Sequence, residues 1–351
     1  MALNFPLRVW KGAKGKPILI LIHGFGATEK TWTNPYEEFL AKGKISFDYV
    51  LADYRGRPSP PYFPFGKLRN YCLSTPLRRF SSRPPPLWDV LKDRGYNLVT
   101  WSQRQPYGPV AMAGEELNGI MEETEVIFGG GRRLILVGHS RGGLVARKWI
   151  QDHPHQKGRI DGVILMACPN RGSRLADVAD LFAKGIKAVG RFMPKDLSLN
   201  RGRIFLRLST FYEEIAGLFK GVALGELRPN SPFILGLRRK ELEEQRSCIR
   251  YLNLVGTSTV FTKLYRISTY DIGELREVTS LIDSLPKMIP TVIMPEEIVD
   301  KKGDGLVSKG RAMIAWMGPG SYKEFHVNHL RMLIDLDVRR EIIQFLEGRG
   351  E

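Results

Sequence analysis

Cysteine is scarce in this chain. There are three in 351 residues, Cys72, Cys168 and Cys248, and none forms a Cys-x-x-Cys pair. An odd, widely spaced set argues against both a disulfide framework and a zinc site. Histidine is nearly as rare, with six copies, so any imidazole chemistry can be narrowed by elimination. No apolar run approaches the ~20 residues that cross a bilayer. The opening stretch MALNFPLRVW has no charged region followed by a long apolar one. No secretory signal peptide is therefore expected, and a soluble, cytoplasmic protein is. Acidic residues are also short: 37 Asp and Glu face 53 Lys and Arg, a net charge of +16.

That excess is uneven. Residues 55–87 carry seven Arg and Lys without one Asp or Glu, and residues 171–250 carry sixteen against nine. A basic surface attracts nucleic acid, anionic membranes or acidic substrates, and it also simply solvates a protein. Tyr62, Phe63, Phe65, Tyr71 and Phe80 alternate with arginines, a composition that stacks on single strands. No RNA-binding signature accompanies it, so nucleic acid is not an expected partner.

What the chain does have is a strand–turn–helix unit at residues 132–143. Leu134 to Val137 form a short run apolar at every position, as in a strand buried on both faces. Leu144, Val145, Trp149 and Ile150 follow at helical spacing. Between them lies Gly138-His139-Ser140-Arg141-Gly142, a Gly-x-Ser-x-Gly sequence. On a sharp strand-to-helix turn the glycines relieve collisions and leave the serine hydroxyl standing clear, a nucleophile elbow. The plainer alternative makes Ser140 an ordinary N-cap.

Around this unit, residues 17–22, 96–101, 163–166 and 251–256 read as further buried strands. Residues 87–95 and 111–128 read as helices between them, and the alternation predicts a mostly parallel sheet flanked by helices. Ser140 then sits at a strand's carboxyl end, where such sheets bind ligands. Residues 30–87 and 257–299 break the rhythm and read as insertions, with one extra strand expected at 47–52. Residues 181–193, 204–220 and 233–245 read as a mostly helical segment. A last strand is expected at 322–327 and a closing helix at 329–346.

A serine hydroxyl needs a base, and the base usually needs an acid to orient it. His23 ends the first buried strand in the turn His23-Gly24-Phe25-Gly26, His139 is inside the elbow, and His153 and His155 lie a helix away from Ser140. His326 and His329 remain. His326 falls within the expected last strand and His329 in the loop beyond it, the better place to reach across the sheet edge. For the acid, Asp271, Asp283, Asp300 and Asp304 follow later strands. Asp304 is preferred because Gly303 and Gly305 put it in a tight turn, although Asp-Gly is also a common turn dipeptide. Asp300 is the substitute.

These stretches resemble the α/β-hydrolase superfamily, and within it the lipase and carboxylesterase group. The resemblance rests on His23-Gly24-Phe25-Gly26, Gly138-His139-Ser140-Arg141-Gly142, Gly303-Asp304-Gly305-Leu306-Val307 and Asn328-His329-Leu330. Cys168-Pro169-Asn170-Arg171-Gly172-Ser173 is similar to a Thr-Pro-His-x-Gly segment of many lipases, with cysteine in place of threonine. Leu227-Arg228-Pro229-Asn230-Ser231-Pro232-Phe233 resembles a segment of lipase caps.

The resemblance implies an α/β-hydrolase core in residues 1–172 and 249–351, with a helical cap or lid at 173–248. It also implies a Ser140–Asp304–His329 triad, with backbone amides of Phe25 and Arg141 forming an oxyanion hole. The expected substrate is a small-molecule or lipid ester, reached with no cofactor and no metal. Residues 181–193 would form a basic amphipathic helix able to touch a lipid interface. An acyltransferase or thioesterase on the same triad, or a non-catalytic binding protein on the same scaffold, are the competing implications.

Overall fold

Consecutive apolar residues in the central strands divide between two cores with a period of two. Leu19 and Leu21 enter one core, whereas Ile18, Ile20 and Ile22 enter the other. Ile135 and Val137 oppose Leu134 and Leu136 in the same way, as do Ile164 and Met166 against Val163 and Leu165. Alternate side chains of a strand point to opposite faces, so a strand without a polar face needs cover on both sides.

The computed structural model describes residues 6–39, 48–53, 71–74, 84–175, 222–260, 263–267, 275–278 and 295–348. Their strands are β1 (Leu7–Trp10), β2 (Ile18–Ile22), β3 (Asp48–Asp53), β4 (Tyr71–Ser74), β5 (Asn97–Trp101) and β6 (Leu134–His139), followed by β7 (Ile160–Met166), β8 (Arg250–Gly256), β9 (Lys263–Ile267), β10 (Leu275–Val278) and β11 (Tyr322–Phe325). Seven of them form one sheet in the order β1-β5-β2-β6-β7-β8-β11. Every neighbouring pair is parallel except β1 with β5. This is the mostly parallel, helix-flanked sheet that the alternating pattern predicts, in the α/β-hydrolase architecture that the family resemblance implies.

The helices are α1 (Lys30–Thr33), α2 (Pro35–Glu38), α3 (Leu87–Asp93), α4 (Val110–Phe128), α5 (Arg141–Asp152), α6 (Val222–Leu227), α7 (Pro232–Arg239), α8 (Glu241–Gln245), α9 (Lys309–Ala312) and α10 (Leu336–Glu347). Leu87, Trp88 and Leu91 of α3 share a core with Val338, Ile342 and Leu346 of α10. Leu117 and Met121 of α4 pack with Leu144, Val145 and Trp149 of α5 in the other core.

Several expected elements change. The helix expected at 233–245 is two helices, α7 and α8, joined at Lys240. The closing helix does not begin at His329. A 3₁₀ turn covers Arg331–Leu333, and α10 starts after Asp335, whose carboxylate accepts from the amides of Asp337 and Val338. Such a cap fixes a helix start more firmly than apolar spacing does. The last strand stops at Phe325, so His326 lies outside it. β1 was not anticipated.

The two stretches read as insertions contribute to one structure. β3 pairs in parallel with β9, β4 extends β3 and β10 extends β9, giving a second, four-stranded sheet in the order β10-β9-β3-β4. The helices expected at 181–193 and 204–220 lie outside the described residues.

Candidate active site

The elbow is strained where the glycine pattern requires it. Ser140 has φ 54° and ψ −127°, a conformation that costs an L-residue about 1–3 kcal/mol. It stands at the N-cap position of α5, yet its side chain makes no capping hydrogen bond. The plain N-cap reading is therefore wrong. Its amide instead donates to the carbonyl of Met166 at 2.8 Å, tying the elbow to the end of β7. A Cβ on Gly138 would lie 2.4 Å from the amide nitrogen of Gly143, and one on Gly142 would lie 2.2 Å from the carbonyl oxygen of Ile22. Neither obstacle is a movable side chain.

The turn after β2 lies directly against the serine. A Cβ on Gly24 would approach the Ser140 Cβ to 3.0 Å and the His139 carbonyl to 3.2 Å. His23 is fully buried, and its Nε2 accepts from the amide of Gln103 at 2.8 Å. Nδ1 therefore carries the proton and donates to the Gly24 carbonyl at 2.9 Å. Burial lowers the His23 pKa to about 4, the bond to Gly24 opposing that fall and Arg141 adding to it. The ring is a neutral brace.

Gln103 is the residue that sequence reasoning missed. Its Nε2 donates to the His23 carbonyl at 3.0 Å, and its Oε1 accepts from Arg141 Nη1 at 2.5 Å. Nη2 of Arg141 reaches the carbonyls of Gly108 and Pro109 at 2.6 and 3.0 Å. Burial lowers this guanidinium to about 10, with Glu226 and Glu116 opposing the shift, so it remains charged at neutral pH. One side chain thus joins the turn after β2, the end of β5 and the residue after Ser140. The available signal was a polar residue just past the end of an apolar strand.

The preferred base and acid meet. His329 Nδ1 lies 2.8 Å from Asp304 Oδ2, and both side chains are almost completely buried. The second carboxylate oxygen, Oδ1, accepts from the amides of Leu306 and Val307 at 2.9 and 2.7 Å. The His329 amide donates to the Asp304 carbonyl at 2.9 Å, closing a second link between the two loops. Asn328 holds the base's own loop by accepting from the amides of Leu330 and Arg331. His139 connects this pair to the elbow. Its Nε2 donates to the His329 carbonyl at 3.0 Å, and the two rings lie 4.9 Å apart. Burial first, and His329 second, lower the His139 pKa to about 3.

The discarded alternatives also find each other. His326 Nε2 is 3.9 Å from Asp300 Oδ1, but both side chains are at least half exposed. Water surrounds that pair. Asp271 and Asp283 lie outside the described residues. Of the two residues expected to give oxyanion amides, Phe25 follows Gly24, which lies against Ser140, and Arg141 follows Ser140.

Behind α5 lies a fully enclosed charge cluster. Arg147 Nε and Nη2 donate to the Glu244 carboxylate at 3.0 and 2.9 Å, and Nη1 donates to Asn170 Oδ1 at 3.1 Å. Gln151 and the Tyr251 hydroxyl donate to the same carboxylate at 2.7 and 2.8 Å. Burial opposes the charge on Arg147, but Glu244 overrides it and holds the guanidinium protonated.

Residues 19–271 match the family model described as the alpha/beta hydrolase family. The chain belongs to this family. It is similar to the solved structure of Bacillus licheniformis lipase BlEst2 in its mature form, with 14% identity over 99% of this chain and 98% of that one and a TM-score of 0.53. The propeptide form of the same lipase gives 14% identity, 97% and 53% coverage, and a TM-score of 0.54. At such identity the likeness is one of fold. No curated protein matches the chain.

Proposed function

We propose that the protein hydrolyses carboxylic esters with hydrophobic acyl groups, as a lipase or carboxylesterase. The observation that carries this reading is the enclosed His329–Asp304 pair at 2.8 Å, joined through His139 to an elbow serine held at φ 54°. Nδ1 of His329 donates to Asp304, which leaves Nε2 as the basic nitrogen. Nε2 takes the Ser140 proton while Oγ attacks the ester carbonyl. The oxyanion is met by the amides of Phe25 and Arg141. On collapse of the tetrahedral species the imidazolium gives its proton to the leaving alcohol. Water then enters and loses a proton to His329 as it attacks the acyl carbon, and His329 returns that proton to Oγ as the acid leaves Ser140. The lipase name carried by a structural neighbour supports the substrate class.

The test pairs a fluorophosphonate probe with p-nitrophenyl esters of increasing chain length. Wild type should label at Ser140 and cleave the series. Ser140→Ala should lose labelling and roughly a millionfold in turnover while keeping its thermal midpoint. A variant retaining more than about a hundredth of the activity contradicts the assignment.

A further inference from the structure

A cleft of about 360 Å³ lies between the loop after β7, helix α7 and helix α9. That volume falls within the ~300–1,000 Å³ usual for small-ligand sites. Arg171, Arg238 and Arg311 line it, together with Asn230 and Glu296. Each arginine comes from a different element, and among the described residues the only lining carboxylate, Glu296, is exposed.

Two of the arginines are fixed to one another. The Arg171 amide donates to the Arg311 carbonyl at 2.8 Å, and Arg311 Nη1 donates to the Arg171 carbonyl at 3.2 Å. Beside them Asn170 Nδ2 anchors the same loop to the Ala312 carbonyl at 2.7 Å. The backbone therefore holds two like charges at one opening, an arrangement that Coulomb repulsion disfavours unless an anion is shared. Arg311 has partial compensation, with Nε 3.6 Å from Glu297. Arg171 and Arg238 have no carboxylate partner among the described residues, and Arg171 Nε is sealed from water with no hydrogen-bond partner there. A buried donor left without an acceptor is costly, so the cationic charge that Arg171 presents at the opening is uncompensated from within the described residues.

We infer that this cleft binds a phosphate group, with Arg171, Arg238 and Arg311 as its three cationic walls and Asn230 as an additional donor. Planar guanidinium forks match paired oxyanion oxygens, and three forks from three elements suit a tetrahedral group better than a planar carboxylate. The volume exceeds what bare phosphate needs, leaving room for an organic substituent. None of the residues lining the cleft is Ser140, Asp304 or His329. Its ligand is either a free phosphorylated small molecule or a phospholipid headgroup.

Calorimetric titration of the full chain with inorganic phosphate, at constant ionic strength and against chloride, tests the site. Wild type should give saturable heat specific to phosphate. Arg238→Gln, on the exposed face of α7, and Arg171→Gln should each weaken binding about tenfold. Unchanged thermal midpoints will show that these variants fold. Absence of phosphate-specific heat, or equal binding by the Arg171→Gln/Arg238→Gln double variant, overturns the inference. Sedimentation with phosphatidylglycerol vesicles separates the sources. Loss of vesicle binding in parallel with phosphate binding identifies a headgroup site, and loss of phosphate binding alone identifies a soluble ligand.

Discussion

Gln103 touches no reacting atom on the proposed reaction path, yet it holds both sides of the proposed oxyanion hole. It braces the His23–Gly24 turn through a carbonyl and steadies Arg141 through the guanidinium. Gln103→Leu should lower kcat on the order of tenfold to a hundredfold with KM nearly unchanged, because misplaced oxyanion donors weaken transition-state binding. Gln103→Glu keeps the acceptor for Arg141 and should fall between the two. An unaltered kcat in Gln103→Leu would reduce the residue to a packing role. The acid can be tested at the same scale. Asp304→Asn should cost on the order of ten-thousandfold in kcat, since the orienting acceptor for His329 is lost. Asp300→Asn, whose partner His326 is exposed, should be silent in the same assay.

Elements divide into those whose sequence carries its own instruction and those that depend on distant partners. β2, β6 and β7 were legible because buried strands in a doubly covered sheet show as apolar runs. The pairing of Asp304 with His329 was legible because turn chemistry and strand ends limit where such side chains can converge. β1 was not, since Leu7 and Val9 are only partly covered and the strand is an edge. The Lys240 break was hidden because apolar spacing continues across it. Nor could spacing reveal that Arg147 on α5 and Glu244 on α8 share one enclosed cluster. Glu244→Ala should destabilise the protein by about 3–5 kcal/mol, because the guanidinium would remain buried without its charge partner. Urea unfolding measures this. Glu244→Gln should cost less, as it retains acceptors for Tyr251 and Arg147.

For the whole molecule, two buried imidazoles make stability depend on pH. Burial holds His23 to a pKa of about 4 and His139 to about 3, whereas both titrate near 6.5 once unfolded. Below about pH 6.5 the unfolded chain binds protons that the folded chain refuses. Their contribution is therefore complete above that pH and shrinks as pH falls toward the folded values. The slope reaches about 1.4 kcal/mol per pH unit for each proton. The carboxyls of Glu38 and Glu297, raised by burial, work in the opposite sense at the acid end, so the useful quantity is a difference. Between pH 6.5 and 4 the midpoint of denaturant unfolding should fall less steeply in His23→Asn than in wild type. Identical slopes would show that His23 already titrates freely in the folded protein.

The small sheet imposes an order on biosynthesis. Asp48 sits opposite Lys263 in adjacent parallel strands, so β3 leaves the ribosome well before its partner exists. At about 5–20 residues per second, that interval is roughly ten to forty seconds. Throughout it, the nascent chain carries an unpaired β-edge able to recruit neighbouring chains. Shortening either stretch alone would make that interval permanent, whereas removing both would abolish it. The two stretches should therefore be gained, lost or transplanted only as a pair.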